Sequence, residues 1–315
     1  MMRIWLKSLT QSTLDARLRV GADLETRIIE RPGCWMKEAE LQALSKDLRR
    51  VAEATLPREA LSYGVFAADR SRMSDSIITL VYRRKDRHPI AFNALAVMDV
   101  PLNGQIQQVV HLGLVLVNPE ARSKGLSWVL YGLTCLVIFL RNQLRPFWIS
   151  NVTQVPAVVG LVSEGFSGVY PAPDGPQSPR FDQLQLARAI MEEHRHVFGV
   201  GKDAGFDEPH FIITNAYTGG SDGLKKTYAE AAKHRDEKYN TFCEQSLDYD
   251  RGDDFLQLGQ MDLATARKYL TGAVPRESLR HLLVSGALVG LQGLILPLVY
   301  WLDSSRQWGG LRPWK

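Results

Sequence analysis

Between Leu112 and Ser127 the chain reads LGLVLVNPEARSKGLS, an apolar, β-branched run stopped by Asn118-Pro119 and followed by Arg122, Ser123, Lys124, Gly125, Leu126 and Ser127. A continuous apolar run bounded by turn residues predicts a buried strand from Leu112 to Val117, and the apolar segment Trp128 to Leu140 predicts a helix. A strand, a small-residue turn and a helix aim unpaired backbone N–H groups and the positive end of a helix dipole at one point, a place for phosphate or another anion. Small side chains at 123, 125 and 127 let such a group reach the backbone, and Arg122 and Lys124 add charge. The alternative reading of the same residues is a tight strand-to-helix turn without a ligand.

Other chemistry-bearing residues are weaker candidates. Cys34, Cys135 and Cys243 form no CxxC and have no His cluster at metal spacing, so neither a zinc site nor a disulfide framework is expected, and a reducing compartment is. His194 and His196 are two apart and do not share a helix face. Gly219 to Gly223 lacks a P-loop lysine, and Asp248 to Asp254 lacks the order of a calcium loop; both read as loops, the second as a solvated turn and cap. Cys243 reads as a half-buried helix cysteine with no base beside it.

The elements that position these residues follow from periodicity. Leu24 to Ile29 is a candidate first strand. From Lys37 to Ala54 the apolar Leu41, Leu44, Leu48 and Val51 recur at helical spacing. Ser76 to Tyr82 and Ile90 to Val100 read as a hairpin joined by the charged turn Arg83 to His88, with a second turn at Leu102-Asn103-Gly104. Phe147 to Val152 is a short strand and Val155 to Glu164 a short helix. After a linker at Pro171 to Pro176, Arg180 to Val197 is expected as a helix, Phe211 to Ala216 as a strand, Leu224 to Asp248 as a charged helix, and Met261 to Leu270 as a helix capped by Asp262.

With 315 residues the chain can bury a large core, and its net charge of +4 and pI near 8.9 come from dispersed Lys and Arg, which gives no nucleic-acid footprint. The N-terminal residues lack the pattern of a signal peptide. Leu282 to Leu302 holds 21 residues without a charge, about 30 Å of helix, flanked by basic residues and by Tyr300, Trp301, Trp308 and Trp314. It reads as a membrane helix, crossing once with the bulk of the chain cytoplasmic, or kinked at Pro297. Gly286 and Gly290 form a GxxxG that offers a homodimer contact.

Taken together these residues resemble the GCN5-related N-acetyltransferase (GNAT) superfamily. Its motif A is a strand followed by [RQ]-x-x-G-x-[GA]; Arg122, Gly125 and Ser127 occupy those places, and VNPEAR is similar to the V-x-P-x-x-R before it. Gln154, Ala157, Leu161, Gly165 and Phe166 fall on the family's N-x-x-A-x-x-x-[YF]-x-x-x-G-F closure. The resemblance covers about Leu24 to Pro173. It implies an α/β fold: a GNAT-like mixed, mostly antiparallel central sheet flanked by helices, here with a helical C-terminal extension and one C-terminal membrane helix. The division is then 1–173 as an acyl-CoA-binding core, 174–275 as a mixed extension, and 276–315 as membrane helix and tail.

The resemblance also implies acetyl-CoA or a longer acyl-CoA as cosubstrate and no metal. Backbone groups of Val115 and Val117 would hold the pantetheine arm, N–H groups of Ser123, Lys124, Gly125, Leu126 and Ser127 the pyrophosphate, and Gln154 would join the cofactor side. Counting back from Arg122 places His111 where the family's histone-acetylating branch has a general-base carboxylate. The family's general-acid tyrosine falls on Leu161, which has no proton to give, leaving Tyr131, Tyr170 or water. Two functions follow: a membrane-held acyltransferase acting on an amine or hydroxyl of a membrane-associated or lipid-like acceptor, or a catalytically degenerate acyl-CoA-binding sensor or scaffold at a membrane.

Overall fold

The computed structural model describes residues 14–55, 64–67, 69–124, 126, 128–219 and 221–274, with isolated positions 287, 290, 291, 294, 295, 298, 301 and 302. In chain order the strands are β1 (Asp15–Arg19), β2 (Leu24–Glu30), β3 (Ser76–Arg83), β4 (His88–Leu102), β5 (Gln105–Val117), β6 (Phe147–Thr153), β7 (Ser167–Tyr170), β8 (Gly205–Asp207), β9 (Ile212–Thr214) and β10 (Asp254–Met261). The principal helices are α1 (Glu38–Ala52), α2 (Thr134–Arg141), α3 (Pro156–Gly165), α4 (Phe181–Ala189), α5 (Glu237–Ser246) and α6 (Leu263–Gly272). Two compact units interleave along the chain: the first is 1–95, 114–146 and 262–315, the second 96–113 and 147–261.

In the first unit the strands run in the order β1, β2, β3, β4, β5, with β2 antiparallel to both β1 and β3. One sheet face is covered by α1, whose Leu41, Leu44, Leu48 and Val51 are buried against Ile78, Leu80 and Phe92. The helix starts where the Glu40 carboxylate accepts the Lys37 N–H at 2.8 Å, and Glu38, Glu40 and then Arg49, Arg50 match its dipole. The other face is more polar. Thr79 and Thr134 hydroxyls share a hydrogen bond of 2.7 Å, and Arg141 is buried with Glu30 at 2.6 Å. The expected helix from Trp128 forms as a wide π turn, Trp128–Leu133, that passes into α2. Gly132 sits there because a Cβ would fall 2.0 Å from the Tyr269 ring of α6, and Asp262 caps α6 by accepting the Thr265 N–H at 2.7 Å.

In the second unit β10 is central, antiparallel to β6, β7 and β9, and β8 closes the edge on β9. This strand was not expected: its FLQLGQM has no alternation, because it is buried on both faces. Its one fully buried polar side chain, Gln257, is matched by Asn151 at 3.2 Å, Ser163 at 3.1 Å and the Pro171 carbonyl at 3.0 Å. Leu256 and Leu258 pack with Leu186 and Ile190 from α4 and the turn after it, and Phe255 stacks on Phe242 of α5. β5 enters this unit from a turn with Asn103 at φ 52° and Gly104 at φ 74°, the left-handed pair a two-residue hairpin requires.

Three sequence expectations change. The helix expected over Leu224 to Asp248 reduces to α5, because Asp236 caps it at Lys238 N–H and Asn240 clamps His234 through 2.8 and 3.0 Å bonds. The upstream residues 225–235, in which charged side chains leave no continuous apolar stripe, form turns and irregular segments. The expected strand Phe211 to Ala216 shortens to β9 because Phe211 and Asn215 both take positive φ. Past Leu112, residues 113–117 of β5 are half-buried rather than buried. Most of Leu282 to Leu302, including Gly286, lies outside the described residues. Among the described residues no helix is long and apolar enough to cross a membrane, so the C-terminal membrane helix has no support from the fold.

Candidate functional site

The anion-binding stretch lies in the first unit. Asn118 ends β5 by donating its N–H to the Ile90 carbonyl at 2.9 Å, and its side chain accepts the Glu120 N–H at 3.1 Å, turning the chain into the tight helix Pro119–Lys124. Arg122, Ser123 and Lys124 belong to this turn. Gly125 and Ser127 lie outside the described residues. Leu126 is buried, and its carbonyl accepts the N–H groups of Val129 and Leu130 at 3.0 and 3.1 Å, so the turn leads directly into the π turn. Val115 and Val117 are half-buried at the end of β5. Wide π turns of this kind recur at functional sites because they offset one residue of the helix.

The other two expected residues, His111 and Gln154, lie in the second unit. There β5 runs parallel to β6 for three pairs, Val109 to His111 opposite Trp148 to Ser150. Beyond Ser150, β6 continues to Thr153 paired with β10, and among the described residues its other edge has no strand partner. Asn151 to Thr153 thus carry backbone groups free to meet an amide-bearing ligand.

His111 closes the parallel ladder. It is 4% exposed, hydrogen-bonds Ser150 Oγ through Nδ1 at 3.1 Å, and packs against the Phe198 ring. Burial pushes the imidazole down to about 4, so it is neutral and weakly basic across the neutral range.

Gln154 follows β6 directly and is buried within a polar cluster. With its amide turned to satisfy both ends, Oε1 accepts the Lys226 N–H at 2.8 Å and lies 2.8 Å from the Tyr217 hydroxyl, while Nε2 donates to the Lys226 carbonyl. The Gln154 carbonyl accepts from Tyr249 at 2.7 Å. Tyr217 also reaches Asp254 Oδ1 at 3.0 Å. Burial pushes Asp254 up to about 7, opposed by the bond from Tyr217 and reinforced by neighbouring Asp253. Asp253 is itself held by two bonds from Arg251 and by the N–H groups of Asn215 and Asp248. The expected solvated turn therefore ends in two buried carboxyls.

Tyr217 and Asp254 escaped sequence reasoning because they meet Gln154 only through the pairing of β10 with β6 and β9. The available signal was the acidic pair immediately before the apolar run Phe255 to Leu258. Other candidates fall away. The Tyr170 hydroxyl is committed to the Pro209 carbonyl at 2.5 Å, and burial raises the Tyr131 hydroxyl well above its usual range. Burial pushes the thiols of Cys135 and Cys243 up to about 12, and Cys243 is fully rather than half buried. Among the described residues no group of His, Cys, Asp and Glu is placed to hold a metal ion.

No known protein family matches the sequence, and no curated protein matches it. Among solved structures the chain is similar to the ribosomal-protein-S5-alanine acetyltransferase from Vibrio fischeri, with a TM-score of 0.33 and 15% identity over 49% of this chain and 86% of that one. It is similar to the NatC complex bound to Gag peptide and CoA, with a TM-score of 0.31 and 14% identity over 46% and 85%. A variant of the spermidine N-acetyltransferase SpeG from Vibrio cholerae gives a TM-score of 0.30 and 14% identity over 47% and 81%.

Proposed function

We propose that the chain is an acyl-CoA-dependent acyltransferase. The observation that carries this reading is the edge of β6: a parallel ladder that stops at His111 and Ser150 leaves the β5-side edge of Asn151 to Thr153 without a strand partner among the described residues, followed at once by Gln154. A pantetheine arm has two amides and pairs with such an edge as a short strand does. In the first unit, taken by itself, the tight turn Pro119–Lys124 carries the stretch that the sequence marks as a candidate anion site. The acceptor in this reading is an amine or hydroxyl of a membrane-associated or lipid-like molecule, and the catalytic part faces the cytoplasm. Support for the membrane comes from the uncharged stretch Leu282 to Leu302 and from the exposed Leu291, Leu294, Leu298, Trp301 and Leu302, which recur at helical spacing.

Native mass spectrometry and thermal stabilisation with CoA, acetyl-CoA and longer acyl-CoAs test the proposal. Binding that rises with one acyl length and turnover with an amine or hydroxyl acceptor support it; no binding at any length sinks it. A second reading, an acyl-CoA sensor or scaffold without turnover, is favoured by Leu161 at the family's tyrosine position and by the weak basicity of His111. Binding without turnover on any acceptor selects it.

A further inference from the structure

Folding gathers basic residues that the sequence disperses. In the first unit β2 pairs with β3 from Leu24 opposite Arg83, so the turn before β2 and the turn after β3 lie side by side at one end of the sheet. Two bonds tie them: the Arg84 N–H donates to the Asp23 carbonyl at 2.8 Å, and the Arg84 guanidinium donates to the Ala22 carbonyl at 2.7 Å. The turn Pro119–Lys124 of the same unit comes to this end too. Its preceding residue, Asn118, donates its N–H to the carbonyl of Ile90, the third residue of β4, and the Glu120 carboxylate acts on Arg83.

Charge at this end is one-sided. Residues 19–23, 83–88 and 119–124 hold seven Arg and Lys against three Asp and Glu, a surplus of +4 that equals the net charge of the whole chain. Among the described residues the Asp86 carboxylate is occupied by Arg83 at 2.8 Å and by the His88 N–H at 3.1 Å, which leaves the exposed Lys85 and Arg87 without an ion pair. Arg87 also takes φ 56°, a left-handed conformation that strains an arginine and that glycine adopts freely. The turn thus holds a cation outward where its backbone favours glycine. None of the exposed large hydrophobic side chains lies in these three segments, so whatever docks there is met by charge at its surface and not by insertion.

We infer that this basic end of the first unit, centred on Lys85 and Arg87, docks on the headgroups of an anionic bilayer. The inference rests on the membrane reading above and names the lipid charge that reading requires. A bilayer is favoured over other polyanions because the chain of this same unit runs on past α6 into Leu282 to Leu302, where Leu291, Leu294, Leu298 and Trp301 are exposed and apolar. A unit held at a membrane by that stretch meets headgroups at high local concentration. Each Lys or Arg near an anionic surface then strengthens binding about fivefold.

The test is flotation of the full chain with vesicles of phosphatidylcholine alone, or with about one third phosphatidylglycerol, at about 50 and 300 mM salt. Lys85→Gln with Arg87→Gly is the variant, its second change relieving the backbone so that folding is not at stake. The natural protein is expected to prefer the anionic vesicles, and to lose most of that preference at high salt. The variant is expected to lose about ten- to thirtyfold of the preference, while keeping its partition to phosphatidylcholine and its CoA affinity. The same preference in both proteins overturns the inference and leaves the membrane reading intact. A fall in CoA affinity in the variant assigns the two cations to the cofactor and overturns it as well. So does displacement from anionic vesicles by polyglutamate or RNA at equal charge, which assigns the surface to an acidic protein or a nucleic acid. Failure of the natural protein to float with either vesicle overturns the membrane reading itself.

Discussion

The hydroxyl of Tyr217 stands 3.0 Å from the buried carboxyl of Asp254, and His111, buried on β5 of the same unit, is a second titratable group that burial holds neutral, its pKa moved in the opposite direction. Asp254 is raised from 3.8 to about 7, so the stability it contributes is full below 3.8 and is lost as pH rises through 7. His111 is lowered from 6.5 to about 4, so its contribution is full above 6.5 and is lost as pH falls through 4.

These slopes oppose each other. The natural protein is therefore expected to change little in stability between pH 4.5 and 7, whereas Asp254→Asn gains stability as pH rises over that range and His111→Gln loses it. Each slope amounts to a total of about 3 to 4 kcal/mol. Urea unfolding of the three proteins at several pH values measures it, and parallel profiles would show that neither group titrates as its burial implies.

His111 as a catalytic base makes a separate kinetic demand. A base must be deprotonated to work, so activity is expected to rise with pH through about 4 and to show no inflection near 6.5 from this residue. His111→Ala then lowers kcat without weakening CoA. A kcat equal to that of the natural protein removes His111 from the chemistry.

The Glu30–Arg141 pair, at 2.6 Å with side chains 5% and 2% exposed, predicts an asymmetry. Glu30→Ala strands a buried guanidinium and is expected to cost about 3–5 kcal/mol. Replacing both, Glu30→Leu with Arg141→Met, removes the charge with the need for it and costs far less. Equal losses in the single and double variants, read by urea unfolding, contradict this.

At the anion turn, Arg122→Ala and Lys124→Ala are each expected to weaken CoA several-fold at low salt, with the difference shrinking as ionic strength rises. A loss that is insensitive to salt would assign these residues to folding of the turn.

A chain ending after Gly272 is expected to leave the membrane fraction without detergent while keeping its CoA affinity. Fractionation with membranes after this truncation places the anchor elsewhere.

What was legible in the sequence was local. The periodicity of Leu41, Leu44, Leu48 and Val51 defines α1, Asn103-Gly104 marks its hairpin, and Asp262 announces the start of α6, because each signal is made and satisfied within a few residues. β10 was not legible, since Gln257 reads as polar and its burial depends on Asn151, Ser163 and Pro171, about a hundred residues away in sequence. The same distance hides the site. Gln154 was reachable from the spacing of the chain around it, but Tyr217 and Asp254 become its neighbours only when β6, β9 and β10 have paired.

The open edge of β6 has a consequence beyond the ligand. Unpaired strand edges are templates for another chain, and Asn151 to Thr153 have neither proline nor a charged side chain to discourage one. Whatever fills that edge also guards the protein against self-association, and on the proposed reading that guard is CoA.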